Sequence, residues 1–283
     1  MPKAVGDIVA VIPLWVKLLV AAVGALALVL AAAYSLSRAR ARRLRRQREA
    51  LLEDVGLLQA ALLPGVPDRV GGLPVSVAYR PSGRLAAGGD FYDAFELDDD
   101  RIAFLVGDVS GHGREALSRT TLVHYTLRAY LDAGLEPRQV LGLTDQAVGD
   151  DLGEEFVTVV VATHEPSSGE LTYASAGHPP PIVSGPVEHE PVTELSSPPI
   201  GTGLLPTGRR QTTIRLPAAC AVCLYTDGLV EAKVDGALLG RDRLAEMLAG
   251  REPETAAQSL IDAVHHAADD ASDDMGRMRL LDG

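Results

Sequence analysis

The chain has 283 residues, 47% of them hydrophobic and 23% charged, with 28 Gly and 18 Pro; this balance excludes a wholly disordered protein and suits one or two domains. The formal net charge of -12 is unevenly placed, because residues 1–50 hold nine Lys/Arg against two Asp/Glu and the rest holds 17 against 36. An acidic body behind a basic collar repels a phosphate backbone, so no nucleic-acid partner is expected.

From Ile8 to Tyr34 the sequence is apolar apart from Lys17, and Leu18–Tyr34 is an uninterrupted run of apolar or small residues. Extended back past Lys17, the run reaches the ~20 residues that a bilayer requires. Lys17 can reach the headgroups from a near-terminal turn. Arg38, Arg40, Arg42, Arg43, Arg45, Arg46 and Arg48 follow at once. Such a cluster stays on the cytoplasmic side. Residues 8–35 are therefore expected to form a single transmembrane helix, which places the chain in the cell membrane with its body in the cytoplasm. A cleaved signal peptide is the rival reading, and translocation of the arginines opposes it.

Residues 36–66 read as a basic juxtamembrane segment and linker helix. Within 47–64, Leu51, Val55, Leu58 and Leu62 follow a 4-3-4 spacing, as in a coiled-coil seam. The seam could pair two chains in a homodimer, or it could pack on the domain that follows. Leu63-Pro64-Gly65-Val66-Pro67 ends this helix.

The remainder, residues 67–283, alternates short β-rich runs with helical stretches. Strands are expected at Val75–Arg80, Phe91–Leu97, Ile102–Gly107, Phe156–Thr163, Leu171–Ser175, Gln211–Leu216 and Ala221–Thr226. Helices are expected at Glu115–Ala133, Arg138–Leu152, Arg241–Ala249 and Thr255–Ala268. Hairpin turns such as Asp98-Asp99-Asp100 argue for antiparallel pairing. Nearly continuous apolar runs at Ile102–Val106, Phe156–Val161 and Ala221–Tyr225 argue for strands covered on both faces. An α+β fold of two stacked antiparallel sheets with helices outside meets both demands.

Cys220 and Cys223, the only cysteines, allow no disulfide framework and indicate a reducing compartment. Their C-x-x-C spacing falls on a strand, where positions three apart point to opposite faces, so the pair reads as buried small hydrophobes and not as a zinc site.

Acids punctuate the strand ends. Asp90 follows Gly88-Gly89, Asp108 follows Ile102–Gly107, Asp227 follows Ala221–Thr226, and Asp273-Asp274 precedes the last apolar residues. One aspartate beside a glycine is ordinary turn chemistry. Four at strand mouths need something to neutralise them. If they converge, the oxygen-rich, sulfur-free cluster suits Mg²⁺ or Mn²⁺. Two such ions can activate a shared water for in-line attack on phosphorus.

The ordered motifs Gly88-Gly89-Asp90-Phe91-Tyr92-Asp93, Asp108-Val109-Ser110-Gly111-His112-Gly113, Ser175-Ala176-Gly177-His178-Pro179-Pro180, Tyr225-Thr226-Asp227-Gly228 and Ser272-Asp273-Asp274 resemble the SpoIIE/RsbU-type branch of the PPM metal-dependent protein serine/threonine phosphatases. The resemblance implies an α/β/β/α sandwich with two Mn²⁺ or Mg²⁺ ions between the sheets. It implies metal ligation by Asp90, Asp108, the Val109 carbonyl, Asp227 and Asp273, with Asp108 and Asp227 central to catalysis. Asp93 and Asp274 rank next. It implies a phosphoserine- or phosphothreonine-bearing substrate, typically an anti-sigma-factor antagonist. His112 reads either as a proton donor to the leaving oxygen or as part of a glycine loop. His178 reads as structural, and Arg80 and Arg84 are candidates for a phosphate-binding arginine. After Asp274 the family's apolar strand is interrupted here by Gly276 and Arg277. That departure keeps open a second reading, a non-catalytic pseudophosphatase module that binds a phosphoprotein.

Overall fold

In the computed structural model the described residues are 13–62, 65–80, 89–111, 114–187, 189–191, 197–204, 210–234, 236–251, 253–268 and 278–282. Two compact units divide at Leu51–Leu52. Helix α1 runs unbroken over Leu14–Leu62. No glycine pair or proline interrupts Leu14–Leu62, so backbone hydrogen bonding continues through the arginine cluster and across the boundary expected between residues 35 and 36. Leu18, Val23, Leu28 and Val29 on this helix are exposed. Among the described residues no helix is long and apolar enough to cross a membrane. Of the expected anchor at 8–35, residues 8–12 lie outside the described residues and the rest falls within them.

The second unit contains two five-stranded sheets. The first has the order β3 (Phe91–Glu96), β4 (Ile102–Val109), β5 (Val157–Glu165), β6 (Glu170–Ala176), β8 (Thr212–Arg215). The second has the order β1 (Arg69–Val70), β2 (Leu73–Ala78), β12 (Met278–Asp282), β9 (Ala221–Tyr225), β7 (Ile182–Ser184). Every pairing within them is antiparallel. The helices are α2 (Arg114–Asp132) and α3 (Pro137–Val148), then the single turn α4 (Asp227–Val230), and α5 (Gly240–Leu248) and α6 (Pro253–Ala267). A small hairpin, β10 (Lys233–Val234) with β11 (Ala237–Leu238), precedes α5.

Three apolar layers hold these elements together. Leu127, Leu131, Val140 and Leu141 of α2 and α3 pack on Leu105, Val159 and Val161 of the first sheet. Phe104, Val106, Val160, Val75, Val222 and Leu224 fill the space between the sheets. Leu244, Leu260, Ile261 and Val264 of α5 and α6 cover Cys223 and Tyr225 of the second sheet. The α/β/β/α order follows from strands whose side chains alternate between two dry layers. The cysteines obey the same rule, with Cys220 between the sheets and Cys223 against the helices. Burial pushes the Cys223 thiol well above its ordinary pKa.

Several short elements carried too little periodicity to be read in advance, among them β1, β7, the β10–β11 hairpin and α4. Most consequential is β12. Despite Gly276 and Arg277, the backbone of Met278–Asp282 pairs with β2 on one side and β9 on the other. Gly276 and Arg277 themselves lie outside the described residues.

Phe104 is fully buried between the sheets. Phe104→Ala is expected to lower stability by about 3–5 kcal/mol through lost burial and a residual cavity. A shift of the urea midpoint with an unchanged slope would report it.

Candidate active site

Strand alternation sorts the acids before any contact is considered. On β4, Ile102, Phe104 and Val106 lie between the sheets, whereas Ala103, Leu105 and Val109 face the helices. The two-residue period therefore puts Asp108 on the inter-sheet side. Asp108 sits opposite Thr158 of β5 in the ladder. On β9, Val222 and Leu224 face the other sheet, and the strand stops at Tyr225 so that Asp227 opens α4. Asp90 and Asp108 are half-buried and Asp227 is exposed. Acids at these three chain positions thus stand where buried strands end, at carboxylates that water or a cation can still reach.

A close backbone approach brings two of them together. The Val109 amide donates to the Gly89 carbonyl at 3.1 Å, and the Thr120 hydroxyl of α2 lies 3.3 Å from the same oxygen. A Cβ on Gly89 would lie 1.8 Å from the Val109 carbonyl oxygen and 2.7 Å from Asp108 Oδ1. Only glycine fits there, for steric reasons and not for an unusual φ. Asp90 is the next residue, one before Phe91 in the Phe91–Gly107 ladder pair, just as Asp108 is one after Gly107. The loop after β4 is fastened too. The Ser110 amide donates to the Phe156 carbonyl at 2.9 Å, and the Phe156 amide donates to Ser110 Oγ at 2.8 Å. Arg119 of α2 donates to Glu155 at 2.6 Å, and Glu155 closes over Gly111.

His178 turns out to have a larger part than its glycine–proline motif indicated. Its ring is buried between Thr158 Oγ1, 3.1 Å from Nδ1, and the Tyr225 carbonyl, 3.0 Å from Nε2. A carbonyl can only accept, so Nε2 carries the proton and Nδ1 accepts from the Thr158 hydroxyl. Burial pulls its pKa down to about 4, although the bond to the Tyr225 carbonyl favours the protonated ring.

Two residues ranked as candidates serve elsewhere. Asp93 shares the helix-facing side of β3 with Phe91 and Phe95, not the inter-sheet side. Its carboxylate, 2% exposed, accepts from His124 Nε2 at 3.0 Å and from Arg128 Nη1 at 2.6 Å, both on α2. The Arg128 guanidinium lies 3.9 Å from the centroid of the Phe95 ring. Asp93 is consumed as a packing anchor for α2. Arg80 follows β2 and donates to Asp262 of α6 at 3.0 Å. Asp273, Asp274, His112 and Arg84 lie outside the described residues.

The donor set has the chemistry of a hard-cation site. Asp90, Asp108 and Asp227 offer carboxylate oxygen and Val109 a backbone carbonyl, with no sulfur or imidazole among them. Thr226, which precedes Asp227, has a buried hydroxyl with no hydrogen-bond partner among the described residues. Among the described residues no group of three or more His, Cys, Asp or Glu stands close enough together to hold a metal. The oxygen donors fit Mg²⁺ or Mn²⁺, in a cluster that the described acids do not complete by themselves.

Residues 98–278, well over half of the chain, match the family described as Stage II sporulation protein E (SpoIIE). The chain belongs to the SpoIIE family. Among curated SpoIIE relatives, phosphoserine phosphatase RsbP of Bacillus subtilis is 24% identical over 158 residues, covering 54% of this chain and 38% of RsbP. Phosphoserine phosphatase RsbU of the same organism is 25% identical over 162 residues, covering 56% of this chain and 48% of RsbU. The chain thus spans less than half the length of these two relatives. The SiaA-PP2C domain of Pseudomonas aeruginosa shares the fold with a TM-score of 0.70 at 22% identity, covering 84% of this chain and 97% of that domain. RsbX crystallised in complex with magnesium has a TM-score of 0.58 at 16% identity, covering 75% of this chain and 96% of RsbX. The fold of this SpoIIE-family chain is therefore the PP2C type, mixed α+β with helices flanking the sheets.

The Asp93 anchor makes a pH-dependent forecast. Burial alone raises its carboxyl, but the hydrogen bonds and charge of His124 and then Arg128 outweigh burial and hold it below the ordinary 3.8. A depressed carboxylate contributes stability above its unfolded pKa and loses it as pH falls through the folded value. Asp93→Ala is expected to cost about 3 kcal/mol at neutral pH, since it strands a buried histidine and a part-buried arginine. In paired denaturation curves the gap between wild type and variant should narrow only below pH 3.8, the ordinary value.

Proposed function

We propose that the protein is a membrane-anchored, metal-dependent protein serine/threonine phosphatase. It hydrolyses phosphoserine or phosphothreonine on a signalling protein of the anti-sigma-factor antagonist class. The observation that carries this reading is the junction at Gly89, the residue before Asp90, which packs directly on Asp108 and the Val109 carbonyl. Membership of a family whose curated members RsbP and RsbU are named phosphoserine phosphatases supports the activity.

Electrostatics supports a metal-dependent reaction. A phosphate dianion brought to a cluster of carboxylates is repelled unless cations intervene. Among the described residues, Arg80 pairs with Asp262 and Arg119 with Glu155. Asp90, Asp108, Asp227, the Val109 carbonyl and Asp273 would hold two Mn²⁺ or Mg²⁺ ions. When bound, these supply Lewis acidity and a water of lowered pKa for in-line attack on phosphorus. The chain's own part is to bring carboxylates to the ends of the strands. β4 and β9 deliver Asp108 and Asp227 from opposite sheets, and the Gly89 contact packs the residue before Asp90 on Asp108. Catalysis is favoured over the binding-only alternative by β12, whose backbone pairs on both sides and so continues the sheet beside β9.

The anchor is read from sequence, from the apolar residues 8–35 and the seven arginines behind them. It places the phosphatase domain at the cytoplasmic face of the cell membrane, where a soluble phosphoprotein can reach it.

The full chain should release phosphate from a phosphoserine protein with Mn²⁺ or Mg²⁺, lose the activity to a chelator, and regain it when metal returns. Asp108→Ala and Asp227→Ala should each lower kcat by more than the ~100-fold typical of residues behind the ligands. Near-normal turnover by either variant would overturn the assignment. For the anchor, a protease applied to intact cells should spare the body, and alkaline carbonate should leave the chain with the membranes. Release into the soluble fraction would refute it.

A further inference from the structure

We propose that His178 is a positioning residue for the metal centre, its imidazole tying the strand end that carries Asp227 to the sheet that carries Asp108. The inference rests on the two-metal phosphatase reading and deepens it. Asp108 lies on β4 of one sheet, and Asp227 follows the end of β9 in the other. Sheets packed through apolar side chains alone can slide, because dispersion and hydrophobic contacts have little direction. A pair of metal ions tolerates little sliding, since its ligands must keep a fixed separation. Some directional link near the site has to set that separation.

The His178 ring supplies one. Nδ1 accepts from the hydroxyl of Thr158, which lies across the ladder from Asp108. Nε2 donates to the carbonyl of Tyr225, two residues before Asp227. The two bonds, 3.1 and 3.0 Å long, leave from opposite sides of a rigid ring, so they define a length as well as a contact. The ring is itself held in place. The His178 amide donates to Ser175 Oγ, and that hydroxyl donates to the His178 carbonyl. Gly177 has φ +64°, and a Cβ there would meet Pro199 at 2.5 Å. The turn is further pinned by Ser197, whose carbonyl accepts from the Gly177 amide at 2.7 Å and whose amide donates to the Ser175 carbonyl at 2.8 Å. His178 is buried, 4% exposed, and holds no position from which it could touch a substrate phosphate directly. Its action on the site runs through Thr158 and Tyr225.

The test compares wild type, His178→Ala, Thr158→Val and Thr158→Ser in the full chain in a mild detergent. Mn²⁺ binding is measured by calorimetry, turnover is measured as a function of Mn²⁺, and folding is followed by thermal melts. His178→Ala is expected to weaken Mn²⁺ binding about 10-fold or more, as loss of groups that orient ligands commonly does. Turnover should recover most of the way at saturating Mn²⁺, because every ligand is still present. Thr158→Val, which keeps the side-chain volume but removes the hydroxyl, should move the Mn²⁺ dependence in the same direction. Thr158→Ser should bind Mn²⁺ as wild type does. If His178→Ala fails to fold, Thr158→Val decides the matter alone. Folded variants with wild-type Mn²⁺ affinity would overturn the positioning role and leave the phosphatase reading standing. A wild-type chain that binds no Mn²⁺ would overturn both.

Discussion

Everything at the candidate site depends on the apolar layer between the two sheets. Phe104, Val106, Val160, Val222 and Leu224 interdigitate there, and sheets packed face to face settle ~10 Å apart. Where the strands of this layer stop, the chain presents whatever residue comes next. A one-residue slip of β4 would turn Asp108 to the helix-facing side, whereas Asp227 takes its place from the end of β9 at Tyr225 and the start of α4. The placement of Asp108 and Asp227 is thus a consequence of core packing before it is a feature of chemistry.

The same alternation separates acids with different work. Asp93 is three residues from Asp90, and on β3 that odd offset turns it toward α2, where it is dry, hydrogen-bonded by His124 and Arg128, and held ionised. Asp90 follows Gly89, which packs on the Val109 carbonyl, and is half-buried. A buried carboxylate with two donors to one oxygen stabilises the fold and has little left to give a ligand. A half-buried carboxylate next to another is costly without a cation and useful with one. The helix α2 links the two environments, because it carries His124 and Arg128 to Asp93 and Thr120 to the Gly89 carbonyl.

Two close approaches complete the geometry, and both rest on glycine for different reasons. Gly89 is needed because the Val109 carbonyl occupies the space of a Cβ, and Gly177 because its φ is positive and Pro199 packs on it. One packs the residue before Asp90 on Asp108 at a sheet's end. The other presents His178 to both sheets. The metal-site proposal and the positioning proposal therefore draw on neighbouring but distinct parts of the chain.

The order of strands and helices, the two-sided burial of β4, β5 and β9, and the divergence of Cys220 and Cys223 were legible in the sequence, because period and hydrophobicity are local properties. So was the presence of acids at strand mouths. The unbroken α1, the pairing of β12 and the short strands β1 and β7 were not. Two- to five-residue strands gain their stability from neighbours far away in the chain, and no local pattern announces them. Asp93 looked like a ligand because it belongs to the motif of Asp90, and only the face it takes on β3 revealed that His124 and Arg128 claim it. His178 looked like a turn residue, since nothing near it in sequence names Thr158 or Tyr225 as partners. Sequence determined which residue types stand at the ends of strands; the stacking of two sheets decided which of them meet, because side chains far apart along the chain are brought into contact only when the apolar layer closes.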